Sequence, residues 1–294
     1  MFADVSVVIP CYRCSDVIER AVTSVWEQTL RPAEVILVDD CSGDGTVDTL
    51  YALQKKFPPN WIKVIELEQN SGPGEARNAG WAAASHSYVA FLDADDSWHP
   101  QKIEIQYSWM IEHPDVVLTG HECVRHSGNI NRAHEITDSE PVRVYPVSKT
   151  QLLFRNRFPT CSVMLRRDIP HRFATGKYHS EDYLLWLEIV CAGHRAYKLD
   201  KPLAYIYKAE FGEGGHSAQI WSMQKGELDT YRRLRRSKFV SPLVCLLLQL
   251  WSWLRFLRRL GFFYSIEVKN TMTDAFAIRV MGRPKRSQFV SRSN

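Results

Sequence analysis

The chain has 294 residues, with 37 Lys and Arg against 33 Asp and Glu, for a formal charge of +4. Hydrophobic residues at 45% and charged residues at 24% are ordinary for a globular protein and exclude a disordered or collagen-like chain. The length suits one large domain or two average ones with a sizeable buried core, and so small a basic excess does not by itself point to nucleic acid.

The first half alternates strand and helix signals. Val5, Val7, Val8 and Ile9 form a β-branched run stopped by Pro10. Residues 15–28 carry helical spacing through Val17, Ile18, Ala21, Val22 and Val25. Residues 35–38 read as a second buried strand, followed by a helix over 46–56, a strand over 62–67, a helix over 73–85 and a strand over 88–92. A helix over 101–112 then leads to a strand over 116–119. Near-continuous apolar strands separated by helices predict an α/β fold, a mostly parallel sheet covered on both faces. Beyond Gly120 the rhythm breaks into polar and Pro-bearing segments, from which a strand at 161–165, a helix at 181–192 and strands at 196–199 and 203–207 stand out. From about 217 onward the chain reads as helical and strongly basic.

The seven cysteines are odd in number and scattered, unlike a secreted disulfide framework. Cys11 and Cys14 form a lone C-x-x-C, open to a redox or half-zinc reading, but no second C-x-x-C follows and reduced structural thiols are the expectation. Residues 1–4 run into the first strand without the basic region of a secretory signal. No window reaches the roughly 20 apolar residues of a spanning helix. The expected location is therefore cytoplasmic, at a membrane surface.

In an open α/β sheet, ligands gather beyond the carboxyl ends of the strands. The second strand ends in Asp39-Asp40-Cys41-Ser42-Gly43-Asp44-Gly45-Thr46, and the fourth in Asp93-Ala94-Asp95-Asp96. Such carboxylates repel one another unless a cation or hydrogen-bond donors compensate, and hard oxygen ligands suit Mg²⁺ or Mn²⁺ carrying a substrate phosphate. The competing reading is structural: Asp96 or Ser97 capping the next helix, Asp40 shaping a turn. Between them lies Asn70-Ser71-Gly72-Pro73-Gly74-Glu75-Ala76-Arg77-Asn78-Ala79-Gly80, whose glycines permit close backbone approach and whose Arg77 could face a nucleotide. It matches no phosphate-loop pattern, and the first strand is followed by Pro10-Cys11-Tyr12-Arg13 rather than glycines, which argues against NAD.

Taken in order, V-S-V-V-I-P-C-Y, V-D-D-C-S-G-D-G-T, N-S-G-P-G-E-A-R-N-A-G, F-L-D-A-D-D and S-E-D-Y-L-L-W resemble glycosyltransferase family 2. Its members are inverting, nucleotide-sugar-dependent enzymes with the GT-A fold, a Rossmann-like sheet. The resemblance is dense over residues 5–110, resumes at 180–186 and extends to 211–217. It implies a catalytic domain over 1–222, with a donor half to about 120 and an acceptor half beyond, followed by a basic amphipathic helical extension over 223–294.

By that resemblance Pro10, Tyr12 and Arg13 line the base pocket, although the family usually has Asn at the position of Arg13. Asp40, or Asp39, bonds the base, and Arg77 sits near the base or diphosphate. Asp93-Ala94-Asp95 corresponds to the family's D-x-D, its first carboxylate meeting the ribose and its second the Mn²⁺ or Mg²⁺. Asp182, in Ser180-Glu181-Asp182, corresponds to the catalytic base; without the resemblance, an acid in the first turn reads as a helix cap. His216, after a glycine-rich loop, is the candidate to complete the metal shell. Trp186 either contacts the acceptor or belongs to the core.

In the tail, Arg232, Arg233, Arg235, Arg236 and Lys238 precede an apolar helix over 242–263. On a helical wheel Arg255, Arg258 and Arg259 gather on one arc, with Leu246, Leu250, Trp253, Leu257 and Leu260 across much of the opposite side. That pattern suits a helix lying on an anionic membrane, or one packed on the catalytic domain with a solvated basic face. No nucleic-acid module accompanies the charge. The expectation is thus a metal-dependent transferase moving a sugar from a nucleotide sugar, a UDP-sugar, to a lipid-linked saccharide in cell-surface polysaccharide assembly. A nucleotidyltransferase and a non-catalytic nucleotide- or membrane-binding protein are the alternatives.

Overall fold

A computed structural model describes residues 2–125, 142–207 and 216–281, the last block without the side chains of 216–220 and 262–281. The chain divides into two compact units after Leu248.

The first unit is built on a nine-stranded mixed sheet in the order β3-β2-β1-β4-β8-β6-β9-β5, with β7 beside β9. Strands β1 (Phe2–Cys11), β2 (Arg31–Asp39), β3 (Ile62–Glu66) and β4 (Tyr88–Phe91) are parallel. They alternate with helices α1 (Ile18–Trp26), α2 (Thr46–Lys56) and α3 (Pro73–Ala83). After β4 come β5 (Ser97–Trp98), α4 (Lys102–Glu112), β6 (Val116–Arg125), β7 (Val144–Pro146) and α5 (Lys149–Phe154). A 3-10 turn (Thr160–Ser162), β8 (Met164–Arg166), α6 (Glu181–Cys191), β9 (Arg195–Ile206), α7 (His216–Arg236) and α8 (Pro242–Met281) follow. β8 runs antiparallel to β4 and β6, whereas β6 and β9 are parallel.

The period-two pattern of the strands explains how both faces are filled. Val5, Val7 and Ile9 of β1, with Val35 and Leu37 of β2, bury against α1, α2 and α4. Val8, Ile36 and Val38 point the other way, toward α3 and α6. Helix α1 commits Ile18, Ala21, Val22 and Val25 to the sheet, the spacing expected of one helical face. Gly80 brings α3 close: a Cβ there would lie 2.4 Å from Val8 Cγ1. The chain leaves β1 for β2 on one side and returns to β4 on the other, so the carboxyl ends of β1, β2 and β4 face one crevice.

Four departures from the sequence reading have physical reasons. The strand expected at 161–165 is a 3-10 turn and a three-residue strand, because Ser162 Oγ and backbone N–H both bond the Pro159 carbonyl. The two strands expected at 196–199 and 203–207 are one, since β9 passes through Asp200-Lys201-Pro202 with its pairing to β6 shifted in register. Helix α5 was hidden in a polar stretch, where Ser148 and Gln151 form a reciprocal capping box. The boundary expected at 222/223 falls inside α7, whose Tyr231 and Leu234 are buried in the first unit's core. Among the described residues no helix is long and apolar enough to cross a membrane.

Candidate active site

At the end of β2, Asp39 pairs in register with Cys11 of β1, and both Asp39 and Asp40 are buried. Asp39 accepts hydrogen bonds from the Ser42 hydroxyl and, at 3.1 Å, the Ser42 backbone N–H. Asp40 accepts the backbone N–H groups of Ser71 and Gly72, one on each carboxylate oxygen and both at 2.8 Å. The turn-shaping role considered for Asp40 is thus directly visible: it fastens the loop that opens α3. Gly72 is required there, because its φ of +87° is left-handed and the Tyr178 ring leaves no room for a Cβ.

Pro10 is half-buried at the end of β1, and Tyr12 and Arg13 are exposed beside it. The Arg13 guanidinium lies 5.3 Å from the Tyr12 ring centroid, and its Nε donates to the Ser42 carbonyl at 3.3 Å. This rim of aromatic and cationic groups borders the Asp39–Ser42 turn.

Beyond β4, Asp93, Asp95 and Asp96 each offer a carboxylate oxygen, the three lying within 4.8 Å of one another. The turn is closed by the Asp96 N–H on the Asp93 carbonyl, and Ala94 is buried in it. Arg20 donates to the Asp95 carbonyl at 2.6 Å while stacking on Tyr207, 3.9 Å from its centroid. Neither Asp96 nor Ser97 caps a helix: Ser97 belongs to β5, and α4 begins five residues later with Gln101 before it. The clustered hard oxygens fit a divalent cation such as Mn²⁺ or Mg²⁺, with room in the shell for substrate phosphate oxygens. His216 opens α7, and its side chain lies outside the described residues, as does the glycine loop before it.

Arg77 joins this turn to α6. Buried on α3 against Phe173, it donates to Asp93 at 2.7 Å and to Glu181 at 2.9 Å. Burial works against its charge, but the two carboxylates more than compensate and hold it protonated.

Asp182, the neighbour of Glu181, accepts the Tyr183 N–H at 2.7 Å on one oxygen. Its other oxygen accepts from Asn156 Nδ2 at 3.0 Å and Thr160 Oγ1 at 3.3 Å. Burial and the adjacent Glu181 charge push its pKa up to about 6, against the opposing pull of the Tyr183 amide, Arg77 and Asn156. A carboxylate in that range accepts a proton at neutral pH more effectively than an ordinary aspartate. The turn that presents it is strained, Ser180 holding a φ of +55°.

Residues 6–173 match the family described as Glycosyl transferase family 2, more than half of the chain. The chain belongs to that family. This transferase is 30% identical over 249 residues to TuaG of Bacillus subtilis, named as a teichuronic acid biosynthesis glycosyltransferase, covering 82% of this chain and 92% of that one. It is 28% identical to WfgD of Escherichia coli, a UDP-Glc:alpha-D-GlcNAc-diphosphoundecaprenol beta-1,3-glucosyltransferase, over 63% of this chain and 69% of that one. A solved mannosyltransferase from Pyrobaculum calidifontis, in complex with GDP-Man and Mn²⁺, shares the GT-A fold at a TM-score of 0.62 and 18% identity, covering 95% of this chain and 81% of that one.

In the transferase, Trp186 is fully buried among Phe91 and Phe173 and donates to the Phe158 carbonyl, so it is core. All seven cysteines are free thiols, Cys11 and Cys14 both buried. The sequence reading did not find Asn156, Thr160 or Arg20, which hold the Asp182 carboxylate and the Asp93–Asp96 turn. Each is polar and unremarkable locally, and gains meaning only from partners between 22 and 75 residues away.

Proposed function

We propose that this transferase moves a sugar, with inversion, from a UDP-sugar to a hydroxyl of a lipid-linked saccharide. The setting is surface-polysaccharide assembly at the cytoplasmic face of a membrane. The observation that carries the reading is the Asp93–Arg77–Glu181–Asp182 cluster, which unites the carboxylates beyond β4 with a base of raised pKa on α6. The names of the B. subtilis and E. coli relatives support the pathway class, the UDP donor and the lipid diphosphate acceptor.

In this reading Asp182 is the catalytic base. The acceptor oxygen attacks the anomeric carbon while its proton passes to the Asp182 carboxylate. The bond from that carbon to the diphosphate oxygen breaks, and the nucleoside diphosphate leaves with the electron pair. One displacement inverts the configuration, so no covalent sugar–enzyme species is needed. Asp95, with Asp93 and Asp96 beside it and His216 as the further candidate, would hold a divalent ion. That ion would stabilise the charge developing on the leaving diphosphate. Asp93 also meets the ribose. Pro10, Tyr12, Arg13, Asp39 and Asp40 border the base, and Arg77 orders the carboxylates around the diphosphate.

A panel of nucleotide sugars, assayed with a lipid-linked acceptor and Mn²⁺, tests the proposal. Release of a nucleoside diphosphate with a new β- or α-linkage inverted from the donor is expected. Release of pyrophosphate, or no turnover with any donor, would remove it.

A further inference from the structure

α8 presents two apolar faces. Cys245, Leu248, Ser252 and Phe256 are buried, at intervals of three and four residues. On the other face Leu243, Leu246, Leu247, Leu250, Leu254 and Leu257 are 53–66% exposed. At about 100° per residue these six fall within roughly a 100° arc. Trp251 and Trp253 flank it on either side, and both remain more than a third exposed. A row of leucines on a soluble surface is costly unless something covers it.

The charge around the helix says what. Between positions 230 and 266 the sequence carries eight Lys or Arg and no Asp or Glu. Arg232, Arg235, Arg236, Lys238 and Arg258 are all exposed. Leucines edged by tryptophans, beside a cluster of exposed cations, match the layered chemistry of a bilayer surface: acyl chains, interface, anionic headgroups. A second protein copy would bring the same cations against one another.

The head of this helix is tied to the site. Lys149 Nζ, at the start of α5, donates to the Phe239 carbonyl at 2.7 Å, just before α8. α5 is six residues long, roughly 9 Å of helix. Two residues beyond its end, Asn156 holds Asp182. We propose that the exposed leucine face of α8 docks in the headgroup region of an anionic bilayer, on the helix whose head is tied by Lys149 to the segment that holds Asp182. The delivery of acceptor to Asp182 rests on the function proposed above; the docking itself does not.

Full-length protein is sedimented with vesicles of phosphatidylcholine alone and of phosphatidylcholine containing phosphatidylglycerol. Binding to the anionic vesicles, weakened by salt, is expected. Leu243→Gln/Leu247→Gln/Leu250→Gln should lower that binding about tenfold or more. It should leave nucleotide-sugar binding, and transfer to a water-soluble acceptor, unchanged. Arg235→Gln/Arg236→Gln/Lys238→Gln should remove the preference for phosphatidylglycerol. Wild-type failure to bind, equal binding by the leucine variant, or a dimer in solution that the leucine substitutions dissociate would each overturn the docking. Vesicle binding without sugar transfer would instead overturn the function and leave the docking standing.

Discussion

Arg77 is the side chain on which the site's electrostatics turn. Its guanidinium spans two carboxylates from different parts of the chain, Asp93 and Glu181, with Arg77 and Glu181 buried and Asp93 partly exposed. Removing it would leave two poorly solvated acids beside Asp182, so Arg77→Met is expected to cost about 3–5 kcal/mol in urea unfolding. Lysine cannot reach both partners as a fork, so Arg77→Lys should recover only part of that loss. Asp182 gives a second expectation at this scale. As a base it acts deprotonated, so kcat/KM should rise with pH through about 6 and then level off. Its stability effect has the opposite sign. The folded pKa lies above the ordinary value of 3.8, so the folded chain holds the proton more tightly than the unfolded chain. That advantage is present at acid pH and lost as pH climbs through about 6. Asp182→Asn should therefore gain stability relative to wild type between about pH 4 and pH 8, by about 1–3 kcal/mol in paired denaturation curves.

The elements that build the crevice depend on close approach as much as on apolar burial. α3 sits so near β1 that Gly80→Ala would drive a methyl into Val8. A loss of about 1–3 kcal/mol is expected, visible as a lower urea midpoint with an unchanged slope. The parallel half of the sheet was legible in the sequence because β1, β2 and β4 are apolar runs, with carboxylates at the ends of β2 and β4. Asp39, Asp40, Asp93 and Asp95 could be singled out on spacing and charge. The stretch between β7 and β8 was not legible in the same way. α5 has six residues and no periodic pattern long enough to read, and of the strand expected at 161–165 only Met164–Arg166 is extended, after a 3-10 turn. The partners of Asp182 come from that irregular stretch, and nothing local in Asn156 or Thr160 announces them. Asp182 itself needed the family resemblance, since an acid in the first turn of a helix is commonplace. The turn after β4 yields a further expectation: Asp95→Asn should weaken Mn²⁺ binding in the presence of UDP by at least about tenfold in calorimetry, with the fold retained.

Across the whole molecule, the chain brings one charged cluster together from segments far apart: the β4 turn, α3 and the start of α6. The function proposed rests on Asp182 acting on the acceptor while the donor is held by the strand ends. The decisive measurement is turnover of Asp182→Asn at saturating donor and acceptor, with donor affinity measured on the same preparation. A fall in kcat of about 10²–10⁴-fold with donor Kd unchanged is the expected result. Near-normal kcat in that variant would contradict the account.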